Sequence, residues 1–363
     1  NNPGLKASVI ADRLKTILLL FSPNNSESYW IDKAESVLAE AIKLCRLYNG
    51  NYVTFEELHK LITDESYYSS KVQSLKDMFL LNKFSKSQVY NLLSSLKFFE
   101  KEFFALDSRT MNILKSEITR ITNCFVSDSE ITKTFCPKRN EINFRGFKDV
   151  INKGKIVVLN MNINEYRNLS RIIAAYLKLD FQTEVLRRLS NSSSSNIHPV
   201  AFISDEYSEY VSATDANFFS QSRESKCINV VSTQSYTSLL NAISNKYSVE
   251  VIVQNLVNKL WFRSDDIYTI EEAQKQLGKI DKQKTSTTIS ENARETSYNL
   301  FTNSLKSKAP NISESINTYS QYDYVFDTNF FTQNLDTFQC LAFLSDGTKI
   351  LPPQKINTIP YFK

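Results

Sequence analysis

"VAFISDEYSEYV", residues 200–211, is the stretch on which the reading of this chain turns. Four apolar residues, Val200 to Ile203, run straight into Ser204, Asp205 and Glu206. A short continuous apolar run reads as a strand buried on both faces. Ending it in Asp-Glu is how such a strand delivers two carboxylates to the metal ion of a bound nucleotide. Many ordinary strands also end in solvated acids, and taken alone that is the commoner case. The elements on either side have to decide.

Outward from it, strands and helices alternate. "GKIVVLNMN" (154–162) is dense in β-branched residues and reads as a buried strand. A helix follows with Leu169, Ile172, Ile173, Tyr176 and Leu177 on one face, then the polar loop "SNSSSSN" (190–196). After 200–204 come a helix over 212–223, the strand "INVVSTQ" (228–234), one or two helices over 235–257, the strand "KLWFRS" (259–264) and the helix "TIEEAQKQLG", stopped by Gly278. Residues 279–322 are rich in Ser, Thr, Asn and Lys and are expected to be irregular and mobile. "FQCLAFLSDG" (338–347) is a last strand, expected at an edge of the sheet. Alternation of this kind predicts a mostly parallel sheet with helices on both faces. Working residues of open α/β sheets gather at the carboxyl ends of the strands. Three strands here end in polar groups: Asp205-Glu206, Thr233-Gln234, and Arg263 with Asp265.

Residues 28 to about 130 have a helical texture instead. Trp30, Ala34, Val37, Leu38, Ala41, Ile42 and Cys45 share one face. Val89, Leu92, Leu93, Leu96, Phe99 and Phe103 form a second stripe, and Met111, Leu114, Ile118 and Phe125 a third. Thr54 with Glu57 and Ser85 with Gln88 have capping-box spacing. The organisation expected is therefore the end of a preceding core segment (1–27), an inserted all-α domain (28–140) and an α/β core (141–363).

Composition bounds the function. At 363 residues the chain is long enough for two or three domains. Six glycines are few for a protein that cradles phosphates. A net charge of +4 permits contact with nucleic acid but does not argue for it. Five scattered cysteines, none at C-x-x-C spacing, with two histidines argue against a zinc site and point to free thiols in a reducing compartment. "ILLLF" (17–21) is too short to span a bilayer. A start at Asn1 rather than Met reads as a piece of a longer polypeptide.

Nucleoside triphosphate hydrolysis needs a backbone cradle and a lysine for the phosphates, a carboxylate for Mg²⁺, a group to orient the attacking water, and an arginine for the developing charge. Asp205 suits the metal and Glu206 the water. Gln234, at the tip of the next strand, is placed to sense the γ-phosphate. Arg223 ends the intervening helix and on a ring could reach a neighbouring subunit. Each residue alone has a plain alternative: a solvated strand end, a loop amide, a helix arginine beside Glu224.

In order, these parts resemble the C-terminal half of type IV coupling proteins, the TraD/TraG family. The resemblance is carried by the acidic strand end, "SRESKCI" (222–228), an aliphatic strand ending in "TQS", "NKLWFR" (258–263) and the final "LG". "YWIDKAESVLAEAI", "GKIVVLNMN" and "LAFLSDGTKILPP" extend it loosely over nearly the whole chain. The resemblance implies a RecA-like P-loop NTPase core with an inserted all-α domain, in a membrane-anchored, hexameric ATPase using ATP and Mg²⁺. It implies transfer of a relaxase–DNA complex or a secreted protein substrate to a type IV secretion channel, with single- or double-stranded DNA as cargo. It assigns Asp205 and Glu206 to the Walker B pair, Gln234 to the glutamine sensor and Arg223 to the arginine acting between subunits. Arg263, Asn255 and Lys259 are not carried over. One departure is large: no G-x-x-x-x-G-K-[ST] occurs in the chain. "LGKIDKQKT" (277–285) is a helix stop and "DGTKI" (346–350) a turn. These residues alone are expected to bind ATP poorly and to hydrolyse it negligibly. The rival readings are a substrate-recruiting scaffold of the same ancestry that has lost turnover, and a related RecA-like secretion or DNA-pumping ATPase.

Overall fold

The apolar stripes of the first half fold into helices that each bury one face. The computed structural model describes residues 4–21, 28–191, 198–243, 245–292, 296–307 and 311–361. Its helical half comprises α1 (Ala7–Leu20), α2 (Ser28–Tyr48), α3 (Phe55–Thr63), α4 (Glu65–Leu80), α5 (Lys86–Phe98), α6 (Ser108–Val126), α7 (Ser129–Phe135), α8 (Phe147–Asn152) and α9 (Ile163–Asn191). α9 is broken at Arg167, which has φ 24°. Helix starts are fixed by side chains that take up otherwise unpaired N–H groups. Thr54 accepts the Glu57 N–H, Asp64, Asp107 and Asp128 cap α4, α6 and α7, and Ser85 and Gln88 make both bonds of a capping box. Leu14 and Ile17 of α1, Leu38 and Ile42 of α2, Phe99 and Phe103, Ile118 of α6 and Ile172 of α9 belong to one apolar core. α1 and α9 therefore share their core with the helices of 28–126. Leu93, which the stripe pattern puts inside, is exposed.

The chain divides into two compact units. The first runs to Gln234 and adds Ser238–Leu256; the second holds Ser235–Thr237 and everything from Val257. In the first, β1 (Val200–Ser204) and β2 (Cys227–Val231) pair in parallel, with α10 (Asp215–Ser222) between them in sequence and α11 (Tyr236–Ala242) and α12 (Lys246–Asn255) after. Phe202 of β1 stacks on Phe181 of α9 at 5.7 Å. The second unit holds β3 (Lys259–Phe262), α13 (Ile267–Leu277), β4 (Lys279–Asn292), β5 (Thr296–Asn299), β6 (Ser304–Ser307), β7 (Asn311–Tyr324), α14 (Thr328–Thr332), β8 (Gln339–Phe343) and β9 (Gln354–Asn357). Ile270 and Ala273 of α13, Phe331 of α14 and Leu341 of β8 form its core.

Several expectations are corrected. Residues 155–162 have no regular structure, and Ile156 and Val158 are 91% and 80% exposed. A strand-like sequence forms a strand only where a neighbour offers an edge, and among the described residues none does so here. The strand over 259–262 is present but lies in an antiparallel sheet of order β3-β8-β9. There Trp261 packs inward while Leu260 and Phe262 are exposed. β8 is accordingly the central strand of that sheet, not an edge. Residues 279–324, expected to be irregular, include a ladder in which β4 pairs with β7 from Lys279–Tyr324 to Asn292–Asn311, with the β5–β6 hairpin beyond it. Thr285, Thr287, Thr288 and Ile289 favour extended backbone, a preference masked by the polarity of the segment. Of the serine-rich loop 190–196, residues 192–196 lie outside those described.

Candidate functional site

The parallel ladder continues past the named strands and ties their carboxyl ends together. Ser232 N–H donates to the Ser204 carbonyl at 2.9 Å and Tyr207 N–H to the Ser232 carbonyl at 2.9 Å. Asp205 and Glu206 occupy the turn held between these two bonds. Glu206 sits in the left-handed region at φ 48°, ψ 42°, a strained conformation for a residue with a Cβ. Asp205 Oδ1 accepts the Glu206 N–H at 3.0 Å and also the Ser232 hydroxyl. Gln234 reaches back from the end of β2, its Nε2 lying 3.4 Å from each Glu206 carboxylate oxygen. Asp205 and Gln234 are exposed and Glu206 is half-buried. The structure thus brings together three of the four residues singled out in the sequence.

Beneath the turn lies a polar network that the sequence reading missed. Tyr207 and Asp215 are fully buried. Asp215 Oδ2 accepts from the Tyr207 hydroxyl at 2.5 Å, from Lys178 Nζ at 2.5 Å and from Ser212 N–H at 3.1 Å, while Oδ1 accepts from Gln182 Nε2 at 3.0 Å. Lys178 also donates to the Tyr210 carbonyl at 2.7 Å. Burial lowers the pKa of the Lys178 ammonium, opposed by Asp215, and burial next to Asp215 pushes the Tyr207 phenol well up. Tyr210 hydroxyl donates to the Asp205 carbonyl at 2.7 Å, so the Ser204 hydroxyl is the donor in its contact with that phenol. Both residues beside the Asp-Glu turn are therefore anchored from below. Lys178 and Gln182 are four residues apart on α9, the one legible sign of a polar stripe facing inward.

Arg223 is not brought to this cluster. It caps the carboxyl end of α10, and the chain turns there into the start of β2, at the opposite end of the strand from Gln234. Its side chain is exposed. Asn255 has a structural place: its Nδ2 donates to the Val251 carbonyl at 2.8 Å and to Ser220 Oγ at 3.2 Å, joining α12 to α10. Among the described residues no group of three or more His, Cys, Asp and Glu could hold a metal ion. Asp205 with the Ser232 hydroxyl is instead the sparse oxygen set that suits Mg²⁺, which keeps most of its waters. No helix among the described residues is long and apolar enough to cross a membrane.

The fold is a RecA-like core with an all-α domain, similar to that of solved conjugative coupling proteins. The solved structures it is similar to include the bacterial conjugative coupling protein TrwBdeltaN70 in an unbound monoclinic form, with a TM-score of 0.57 and 12% identity, matching 96% of this chain and 68% of that one. Plasmid coupling protein TrwB in complex with ADP and Mg²⁺ matches with a TM-score of 0.57 and 12% identity over 96% of this chain and 67% of that one. The same protein with a non-hydrolysable ATP analogue, ADPNP, matches at 0.56 and 12% over 96% and 68%. No family model and no curated protein matches the chain.

Proposed function

We propose that these residues are part of a coupling ATPase of the TraD/TraG type, which moves DNA or protein substrates toward a type IV secretion channel in conjugation. The observation that carries this reading is the meeting of Asp205, Glu206, Ser232 and Gln234 at the carboxyl ends of a parallel strand pair, in a coupling-protein fold. TrwB structures with ADP and Mg²⁺ and with ADPNP support ATP and Mg²⁺ as the ligands. Asp205 would hold the metal through water: Oδ1 accepts from the Glu206 N–H and the Ser232 hydroxyl, which leaves Oδ2 for a metal-bound water. The metal would offset charge on the β- and γ-phosphates.

Glu206 takes the proton of the attacking water and fixes its line of approach. In the present arrangement Gln234 Nε2 spans both Glu206 oxygens at hydrogen-bond limit. Contacts that long break at little cost, so Gln234 is free to turn to a γ-phosphate and release Glu206 for water. Arg223, at the far end of β2, serves a neighbouring subunit's site in a homo-hexamer rather than its own. The phosphate cradle is supplied from outside this sequence, since no G-x-x-x-x-G-K-[ST] is in it. Because of that absence a second reading, a recruiting scaffold without turnover, stands beside the first. A membrane anchor and a relaxase–DNA or protein cargo complete this reading.

ATP hydrolysis by the complete polypeptide, wild type against Glu206→Gln, with and without single-stranded DNA, separates the two. Turnover lost in the variant is the expected result, and stimulation by DNA identifies a nucleic-acid cargo. A well-folded complete polypeptide with no turnover leaves the scaffold.

A further inference from the structure

We infer that Tyr210 is a positioning residue for Asp205: its phenol locks the peptide that joins Asp205 to Glu206, and so aims the Asp205 carboxylate at Mg²⁺. The inference rests on the coupling-ATPase reading, in which Asp205 holds the metal through water.

The Asp205 carbonyl and the Glu206 N–H are the two ends of one peptide, and each end is held. The Tyr210 hydroxyl donates to the carbonyl at 2.7 Å, and the N–H donates to Asp205 Oδ1 at 3.0 Å. The second bond ties the direction of the carboxylate to that of the peptide. Glu206, next in the chain, has φ 48°. Turning the peptide over would carry this φ out of the left-handed region, which a residue with a Cβ occupies at a cost. The same turn would take the N–H away from Oδ1 and release the carboxylate. The observed orientation is therefore the strained one, and a contact from outside the peptide has to keep it. The ladder bonds of Ser232 N–H to the Ser204 carbonyl and of Tyr207 N–H to the Ser232 carbonyl bracket this peptide without touching it. The Ser232 hydroxyl holds the carboxylate and not the peptide. Tyr210 supplies the missing contact.

Tyr210 is itself fixed on three sides. Its ring meets the buried Tyr207 ring edge-on at 6.2 Å, and its own carbonyl accepts from Lys178 Nζ at 2.7 Å. The Ser204 hydroxyl donates to the phenol oxygen, which turns the phenol proton to the Asp205 carbonyl. Asp205 is exposed, so water could serve that carbonyl equally well. Satisfying the carbonyl does not need a tyrosine; fixing its direction does.

Tyr210→Phe in the complete polypeptide keeps the ring and removes the bond. The measurement is the affinity for a fluorescent ADP analogue, titrated with Mg²⁺ and repeated in EDTA, which needs no turnover. The expected result is a Mg²⁺ requirement raised about three- to tenfold, with the affinity in EDTA unchanged. Glu206→Gly gives a second reading. Glycine occupies the left-handed region freely, so the peptide has no strain to escape, and in that background Tyr210→Phe is expected to raise the Mg²⁺ requirement by no more than about twofold. An unchanged Mg²⁺ requirement in Tyr210→Phe overturns the inference and leaves the ATPase reading standing. Equal weakening with and without Mg²⁺, or equal shifts in the two backgrounds, also overturns it, since either reports a general loosening of the turn. A wild-type polypeptide whose nucleotide affinity Mg²⁺ does not change overturns the reading of Asp205, and the inference with it.

Discussion

Replacing Asp215 by Asn removes one charge from a buried site and leaves its partner behind. Lys178 Nζ, with its side chain 2% exposed, loses the carboxylate at 2.5 Å and keeps only the Tyr210 carbonyl and Ser212 Oγ at 2.7 and 3.2 Å. Tyr207, Ser212 and Gln182 lose a charged acceptor at the same time. Breaking a buried pair by removing one partner costs about 3–5 kcal/mol. With an m-value of about 3 kcal/mol/M in urea, a cost of about 4 kcal/mol moves the midpoint by about 1.3 M. Trp30 reports on the first unit alone if Trp261→Phe removes the other tryptophan, so the two units are not mixed in one signal. The double variant Lys178→Met/Asp215→Leu takes both charges away and is expected to cost less than Asp215→Asn. A single-variant cost below about 1 kcal/mol, or a double variant costlier than the single, refutes the claim that this pair supports the turn.

Other consequences concern the turn, the cysteines and acid stability. Glu206→Gly relieves a left-handed residue and is expected to leave urea stability equal or up to about 1 kcal/mol higher, whereas Glu206→Val lowers it. A clear loss in the glycine variant contradicts the strain. Burial pushes the Cys45 and Cys227 thiols up to about 12, so neither reacts with a disulfide reagent at pH 8 until the chain is unfolded; prompt reaction of either counts against its burial. Asp266 is pushed up by burial, but hydrogen bonds from Thr237 and Thr269 outweigh this and hold its carboxyl below the ordinary 3.8. A depressed carboxylate contributes stability that is full above 3.8 and is lost as pH falls through its folded value. Thr269→Val is therefore expected to raise the acid midpoint of the second unit, followed by Trp261 fluorescence.

What could be read from the sequence follows from how local each signal is. Strand β1 with its Asp-Glu end, β2 with Gln234, and the helix stopped at Gly278 each announce themselves within ten residues, and all appear where expected. The Ser85–Gln88 box was legible for the same reason. Pairing is not local. Nothing within "KLWF" says that its neighbour is Gln339–Phe343 rather than β2, and nothing within "IVVL" says that its partner strand is missing among the described residues. The 279–324 ladder was obscured because Ser and Thr register as polar in a composition count while their backbones favour extension. The Lys178–Asp215 pair spans 37 residues and shows only as a lysine in a helix. Ser232 was passed over beside Gln234, although its hydroxyl holds Asp205.

In the proposed function Glu206 acts on water and not on nucleotide binding. The most direct measurement is a pair of constants for the complete polypeptide: affinity for a fluorescent ATP analogue with Mg²⁺, and the single-turnover hydrolysis rate. For Glu206→Gln the account predicts wild-type affinity with hydrolysis slower by about 10²–10⁴-fold. Unchanged hydrolysis, or affinity lost in step with the rate, would contradict it.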